Sequence, residues 1–292
     1  MGDLIDIMQS SGLGRPLDPK VPSNRAALVG TAAAGVLTLA SHLVAGRPKP
    51  IRAAVATAEA CFMAWAIGRE LDPDEPSTAI LAMPIAMTGR VFGRPGLGAS
   101  YPALLAARLA SGTVGAPLQP IDAAHVAGVG LLAGARPASW PSVAGIGVGL
   151  SRDRALGDLT SIGVGVTVLA GAVGAIAAKA APKPRLPGPL GVAWLAAVAG
   201  AGIATARAGA VRSRTDVGDR PIEASRVSLA RSLVLGGVLL GAAIDGRRAI
   251  TSTVPLAAAV LATAGTRLAA RLDGRAGDGA AETGSDQTGV RS

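Results

Sequence analysis

Apolar and small residues run along this chain in blocks, broken by short polar stretches. Two long blocks, 159–178 and 186–206, hold no charged residue. Each is long enough to cross a hydrocarbon layer of about 30 Å at about 1.5 Å per residue. Other blocks follow the same plan. The block 26–46, of similar length, is interrupted by His42 and stopped by Arg47-Pro48-Lys49-Pro50; the next, 53–68, carries Glu59 at its centre and is slightly short for a span. Between 77 and 151 the blocks 77–89, 96–107, 123–135 and 137–150 read as four short, tilted helices, or as three elements with one re-entrant pair. The blocks 232–244 and 249–266 make a last hairpin, turning at Asp245-Gly246-Arg247-Arg248.

This pattern predicts an all-α, polytopic transmembrane bundle of about 8 to 10 short, Ala/Gly-rich spans. It divides into a cytoplasmic N-terminal segment (1–25), a first half (26–151), a second half with four spans (152–270) and a disordered tail (271–292). Residues 3–9 could form a short surface helix, and the prolines at 16, 19 and 22 make the following stretch a linker. The opening residues hold Asp3, Asp6 and Asp18 and no basic region before an apolar core, so a cleaved secretory signal is not expected.

Composition agrees. Half the residues are hydrophobic and 16% are charged, against about 25% charged in soluble domains. A net charge of +9 would raise nucleic acid as a partner in a soluble protein. Here the basic residues cluster between apolar blocks and aromatics are 2% of the chain, so no stacking surface exists and nucleic acid is excluded. The positive-inside rule and contact with anionic lipid headgroups account for the charge instead. Lys and Arg are more numerous in the amino terminus, 69–76, 151–158, 207–231 and the tail than in the intervening turns, which predicts both termini in the cytoplasm. The Ala, Gly and Arg usage resembles that of GC-rich bacterial genomes and suggests a bacterial cytoplasmic membrane.

Ionisable residues at membrane depth are the natural functional candidates, because each costs a few kcal/mol unless paired or hydrated. Glu59 leads, either as a carboxylate holding helices in register or as a proton or cation site, with Arg90 and Arg108 as candidate counter-charges. His42 and His125 can titrate near neutral pH, though a histidine at a span end is ordinarily an interfacial side chain. Asp122 reads as a helix-start residue. In Arg69-Glu70-Leu71-Asp72-Pro73-Asp74-Glu75-Pro76, the acids Asp72, Asp74 and Glu75 could hold magnesium on a phosphorylated substrate. The same acids before Pro76 also fit a helix start. The single cysteine, Cys61, sits in an apolar block, and one Cys with two His cannot build a zinc site. No cofactor-binding motif is present: there is no phosphate loop, no HExxH and no GxSxG elbow. Asp245-Gly246 opens like the aspartate motif of membrane alcohol phosphotransferases, but the Ala-Arg pair and later aspartates of that motif are missing.

Two further patterns concern assembly. Gly130 with Gly134, and Gly237 with Gly241, lie four apart on one helix face and permit close backbone approach, within the bundle or in a homo-oligomer. The segment Thr113-Val-Gly-Ala-Pro-Leu, before a hairpin turning at Arg136, echoes Thr215-Asp-Val-Gly-Asp-Arg-Pro-Ile, before the hairpin turning at Arg247. A duplication would imply a repeat-built, transporter-like body. The sequence therefore leads to a transport-related or membrane-structural protein. Its rivals are a membrane enzyme acting on a phosphorylated lipid through the acids at 72–75, with Arg69, Arg90 or Arg94 on phosphate, and an accessory subunit of a membrane complex.

Overall fold

Five helices open on proline, at Pro22, Pro50, Pro76, Pro120 and Pro189. The first helical turn has no use for the missing N–H and the ring already sets a helical φ, so each proline closes a loop and starts a rod. The computed structural model describes residues 13–151, apart from 16, 97 and 135, and residues 185–284. Among these there are ten α-helices: α1 (Pro22–Val44), α2 (Pro50–Leu71), α3 (Pro76–Thr88), α4 (Ser100–Ser111), α5 (Pro120–Gly134), α6 (Trp140–Ser151), α7 (Pro189–Thr205), α8 (Ala224–Asp245), α9 (Arg247–Ser252) and α10 (Val254–Gly284). Turns of 3-10 helix at Gly89–Phe92 and Pro137–Ser139 complete them. The described residues contain no strand, only an isolated bridge between Arg214 and Pro221. By length and composition, α1, α2 and α8 are apolar enough to cross a membrane.

The helices run between two ends of one bundle. At the first end, Arg69 of α2 meets Asn24 of α1, Asp72 meets Arg267 of α10, and Arg231 of α8 meets the last residue of α2. At the second end, Gly89 lies against Val254, Ser100 donates to the Ser252 carbonyl, Gly98 lies against Arg136, and the Arg247 N–H donates to the Arg185 carbonyl. Helix α4 is the innermost, buried along almost its whole length, while α1 is peripheral and buries only Asn24, Ala27, Ala34 and Thr38. The core joins Trp65, Ile67 and Leu71 of α2 to Leu104 of α4, Val234 and Val238 of α8, and Leu256 of α10. Glycines set the approach distances. A Cβ on Gly149 of α6 would stand 2.7 Å from Leu109 Cβ, and one on Gly68 of α2 would stand 3.0 Å from Ala79 Cα. Where lipid tails remove the hydrophobic drive between helices, such contact supplies the cohesion. Gly237 and Gly241 do this inside the bundle, against Ser142 and Leu256 and against the Ala138 carbonyl.

Several boundaries differ from the sequence pattern. Helix α2 is 22 residues long, not 16, because Pro50 starts it before the first apolar residue and Glu70 and Leu71 stay inside it. Helix α8 begins at Ala224, ahead of the apolar block at 232, since Arg226 and Arg231 bury their stems and spend their guanidinium donors on carbonyl oxygens. The 31-residue α10 continues to Gly284, past the point where polar composition predicts a disordered tail. The surface helix expected at 3–9, the apolar block 159–178 and the last residues from 285 lie outside the described residues.

Candidate functional site

The C-terminal half of α2 is buried on all sides from Met63 to Gly68, and this carries Glu70 and Asp72 into the bundle at its first end. Glu70 is 0% exposed and Asp72 4%. A carboxylate at such a place must find cations and donors, since an unpaired buried charge is far more costly than a paired one. Glu70 finds four groups on three segments. Arg108 Nε of α4 lies 3.0 Å from Oε1 and Arg15 Nη1 lies 3.4 Å from it, while Ser111 Oγ at 3.2 Å and Thr113 Oγ1 donate to Oε2. Arg108 also donates to the Leu13 carbonyl at 2.7 Å, and Arg15 to Asp216 of the long loop before α8. Burial pulls the Arg15 guanidinium down, but the carboxylates of Glu70 and Asp216 outweigh it and hold the group above its ordinary value.

Asp72 closes a second cluster beside the first. Its Oδ1 accepts from Arg267 at 2.9 Å and from Arg231 at 3.5 Å, and its Oδ2 accepts from Thr78 at 3.2 Å. Arg231 is itself buried and donates to the carbonyls of Leu71 at 2.7 Å, Thr205 at 3.1 Å and Arg207 at 3.3 Å. The two acids thus join α2, α4, α8, α10 and the chain before α1. Asp74, one turn further out, accepts the backbone N–H groups of Arg212 at 3.0 Å and Ser213 at 2.7 Å. Partial burial pushes its carboxyl up, but the hydrogen bonds from Ser213 and Arg212 outweigh this and hold it below the ordinary carboxylate range.

The two echoing segments meet at this end. The Asp216 N–H donates to the Thr113 carbonyl at 3.0 Å and the Val217 N–H to the Val114 carbonyl at 2.9 Å, so the loops lie side by side in register. Gly115 and Gly218, each following a valine, both take φ of +79°. Helices α4, α5 and α6 lead into and away from the first loop in the same end-to-end sense as α7, α8 and α10 do for the second. Between the loops lies a cavity of about 550 Å³. Arg108, Arg220, Arg226 and Ser111 line its polar side, and Leu109, Val114, Leu118 and Ile222 its apolar side. Arg226 is seated by Gly112, where a Cβ would stand 2.6 Å from the guanidinium carbon, and donates to the carbonyls of Ala110 and Leu109 at the end of α4. Cations there complement the negative end of the helix dipole.

The residues singled out in the sequence scatter over the molecule. Glu59 is on the exposed face of α2, with no ion pair or hydrogen bond among the described residues, in line with exposed Val55 and Ile51. It meets neither Arg108, which serves Glu70 at the first end, nor Arg90, which donates to Thr38 Oγ1 at 2.9 Å toward the second. Asp72, Asp74 and Glu75 do not gather on one point. The first is ion-paired, the second caps a loop, and Glu75 is the N-cap of α3, accepting the Ser77 N–H at 3.3 Å. Among the described residues no three His, Cys, Asp or Glu side chains form a metal-binding group. Arg90 and Arg94 lie at the opposite end from these acids. His125 pairs with Tyr101 on the flank at 3.1 Å, and His42 is near the second end. Asp122 accepts the Gln119 N–H at 2.8 Å, as a helix-start residue does. Arg69 donates to Asn24 at 2.9 Å and stacks over Trp65.

Sequence reasoning passed over Glu70, although a signal was present. Glu70 follows Met63, Ala66 and Ile67 at helical spacing, and Glu59 continues the same stripe, but that stripe is exposed at Ile51, Val55 and Glu59 and becomes covered from Met63 onward, so position along α2 separates the two acids.

No protein-family model, curated protein or solved structure matches the chain. What the described residues define is an all-helical protein with helices able to cross a membrane and an arginine–carboxylate cluster at one end of the bundle.

Proposed function

We propose that the chain is an integral, multi-pass protein of the bacterial cytoplasmic membrane with a transport-related role, its two related helical units packed around the cavity at the first end. Helices α1 to α8 and α10 each make one crossing in this reading, α6 ending at the first end and α7 starting at the second. The apolar periphery supports this reading, with Leu28, Val36, Leu37, Val55, Leu132, Val192 and Leu240 all exposed. Lys and Arg are more numerous at the first end, which supports a cytoplasmic location for it and for both termini. The observation that carries the transport reading is the pairing of the Val-Gly loops around a shared cavity, since repeat-built transporters place their sites between repeats.

A second reading, an accessory subunit of a membrane complex, is favoured by Glu59, whose exposed carboxylate among apolar neighbours suits a polar residue on a partner helix.

Cysteine accessibility separates the two. In a Cys61→Ala background, Ser111→Cys and Leu118→Cys on the cavity wall are exposed to a membrane-impermeant maleimide from each side of sealed vesicles. Transport requires labelling from both sides. Labelling from the first-end side alone removes the transport reading and leaves the accessory one. Release of the protein from membranes by alkaline carbonate would remove both.

A further inference from the structure

At the second end of the bundle, a cavity of about 280 Å³ is lined by His42, Arg47, Lys49, Thr57, Arg90 and Arg94. It lies between the end of α1, the turn before α2, and the 3-10 segment after α3. Among the described residues none of the four cations has an ion pair, and no carboxylate lines the cavity. Arg90 spends one donor on Thr38, and Arg47, Lys49 and Arg94 spend none of their side-chain donors. Like charges facing one space repel unless an anion sits among them.

Two further observations point to an anion. Lys49 holds a left-handed φ of 56°, uncommon for a residue other than glycine, and this conformation places it at the cavity mouth. The first turn of α2 starts there with no side-chain cap, so the positive end of a 22-residue helix adds to the field. The surroundings indicate the source of the anion. Leu43, Val44, Ile51 and Val91 are exposed around the cavity, Val44 at 91% and Ile51 at 71%, an apolar skirt of the kind acyl chains cover.

We propose that this cavity binds a phosphate group, and that the phosphate is the headgroup of an anionic phospholipid whose chains lie on that skirt. Arg90 and Arg94 offer planar donor pairs to the phosphate oxygens, and Lys49 and Arg47 add point charges at the rim. The lipid arm rests on the membrane reading above; the phosphate arm does not.

The test uses the full-length protein in non-ionic detergent. Native mass spectrometry reads retention of added phosphatidylglycerol against phosphatidylcholine, and titration calorimetry reads inorganic phosphate. The variant Arg47→Gln/Arg94→Gln removes two exposed, unpaired cations and spares the core; Arg212→Gln/Arg271→Gln removes the same charge from the far end. The expected result is preferential retention of phosphatidylglycerol, weakened about fivefold per cation removed in the first variant and unchanged in the second. Binding of inorganic phosphate with the same variant dependence, without lipid preference, supports the site and assigns it to free phosphate. Equal losses in both variants, or no binding of either probe, overturns the proposal. Carbonate extraction of the same preparation reports on the membrane reading separately.

Discussion

Arg108 Nε stands 3.0 Å from the Glu70 carboxylate, and this contact joins the two most deeply buried helices, α2 and α4, at one end of the bundle. Removing Arg108 leaves the fully buried Glu70 with Arg15 as its remaining cation among the described residues. Arg108→Met should therefore lower unfolding stability by about 3 kcal/mol, the low end of the range for breaking a buried pair, because Arg15 still serves Glu70. The double variant Arg108→Met/Glu70→Leu should recover part of that loss, since two apolar side chains carry no desolvation penalty. Thermal denaturation of the purified protein in detergent measures both. A double variant less stable than the sum of the singles would contradict an ion pair as the origin.

This relationship also marks what the sequence made legible. The helices were readable because long apolar blocks are punctuated by Pro22, Pro50, Pro76, Pro120 and Pro189, and three of the helices are long and apolar enough to cross a membrane. The site was less so. Glu59 drew attention because it lies mid-block, but the half of α2 that carries it leaves this face uncovered, whereas the half that carries Glu70 is enclosed on all sides. Glu70 sits at a block edge and so read as loop, while its stripe with Met63 and Ile67 carries it inward. The partners of Asp72, Arg231 and Arg267, are distant in the chain, and charge counting in loops could not pair them.

Asp74 gives the first-end loops a pH dependence. Its carboxyl is held below the ordinary range in the folded protein by hydrogen bonds from Ser213 and Arg212. Stability from this group is therefore fully present above the ordinary carboxylate range and is lost as pH falls through the depressed folded value. Amide hydrogen exchange at 212 and 213 should stay protected from pH 7 down to the ordinary carboxylate pKa of about 4 and open below it. Asp74→Asn should open the same amides at neutral pH, at a cost of about 1 kcal/mol because the carboxylate is largely in water.

The paired Val-Gly loops make different demands on their glycines. At Gly115 a Cβ would collide with the Val217 carbonyl oxygen and with the Thr215 side chain, and φ is +79°. At Gly218 the same φ holds but the nearest atom is 3.8 Å away. Gly218→Ala should cost about 1 kcal/mol, the backbone penalty alone, and Gly115→Ala more than about 2 kcal/mol, with separation of the loops. Gly128→Ala, mid-helix in α5 with open space around it, should instead stabilise by about 0.5 kcal/mol. Melting midpoints rank the three, and equal effects at Gly115 and Gly218 would show that the loops do not pack as described.

Glu59 and Glu70 lie on the same helix and provide its strongest contrast. Glu70→Leu strands Arg108 and Arg15 in the core, whereas Glu59→Leu removes a carboxylate that no described residue contacts, from a face shared with Val55. In isolated protein, Glu59→Leu should leave the melting midpoint unchanged or higher, and insertion into lipid should become easier, because an acid facing hydrocarbon opposes it. In the native membrane the outcome depends on whether that face is covered. A photo-crosslinker at position 59 should capture a second polypeptide if the carboxylate serves a partner helix, and Glu59→Leu should then abolish the assembly while the purified chain stays folded. A loss of fold on Glu59→Leu, comparable to that at Glu70, would refute the placement of this residue on the outer flank.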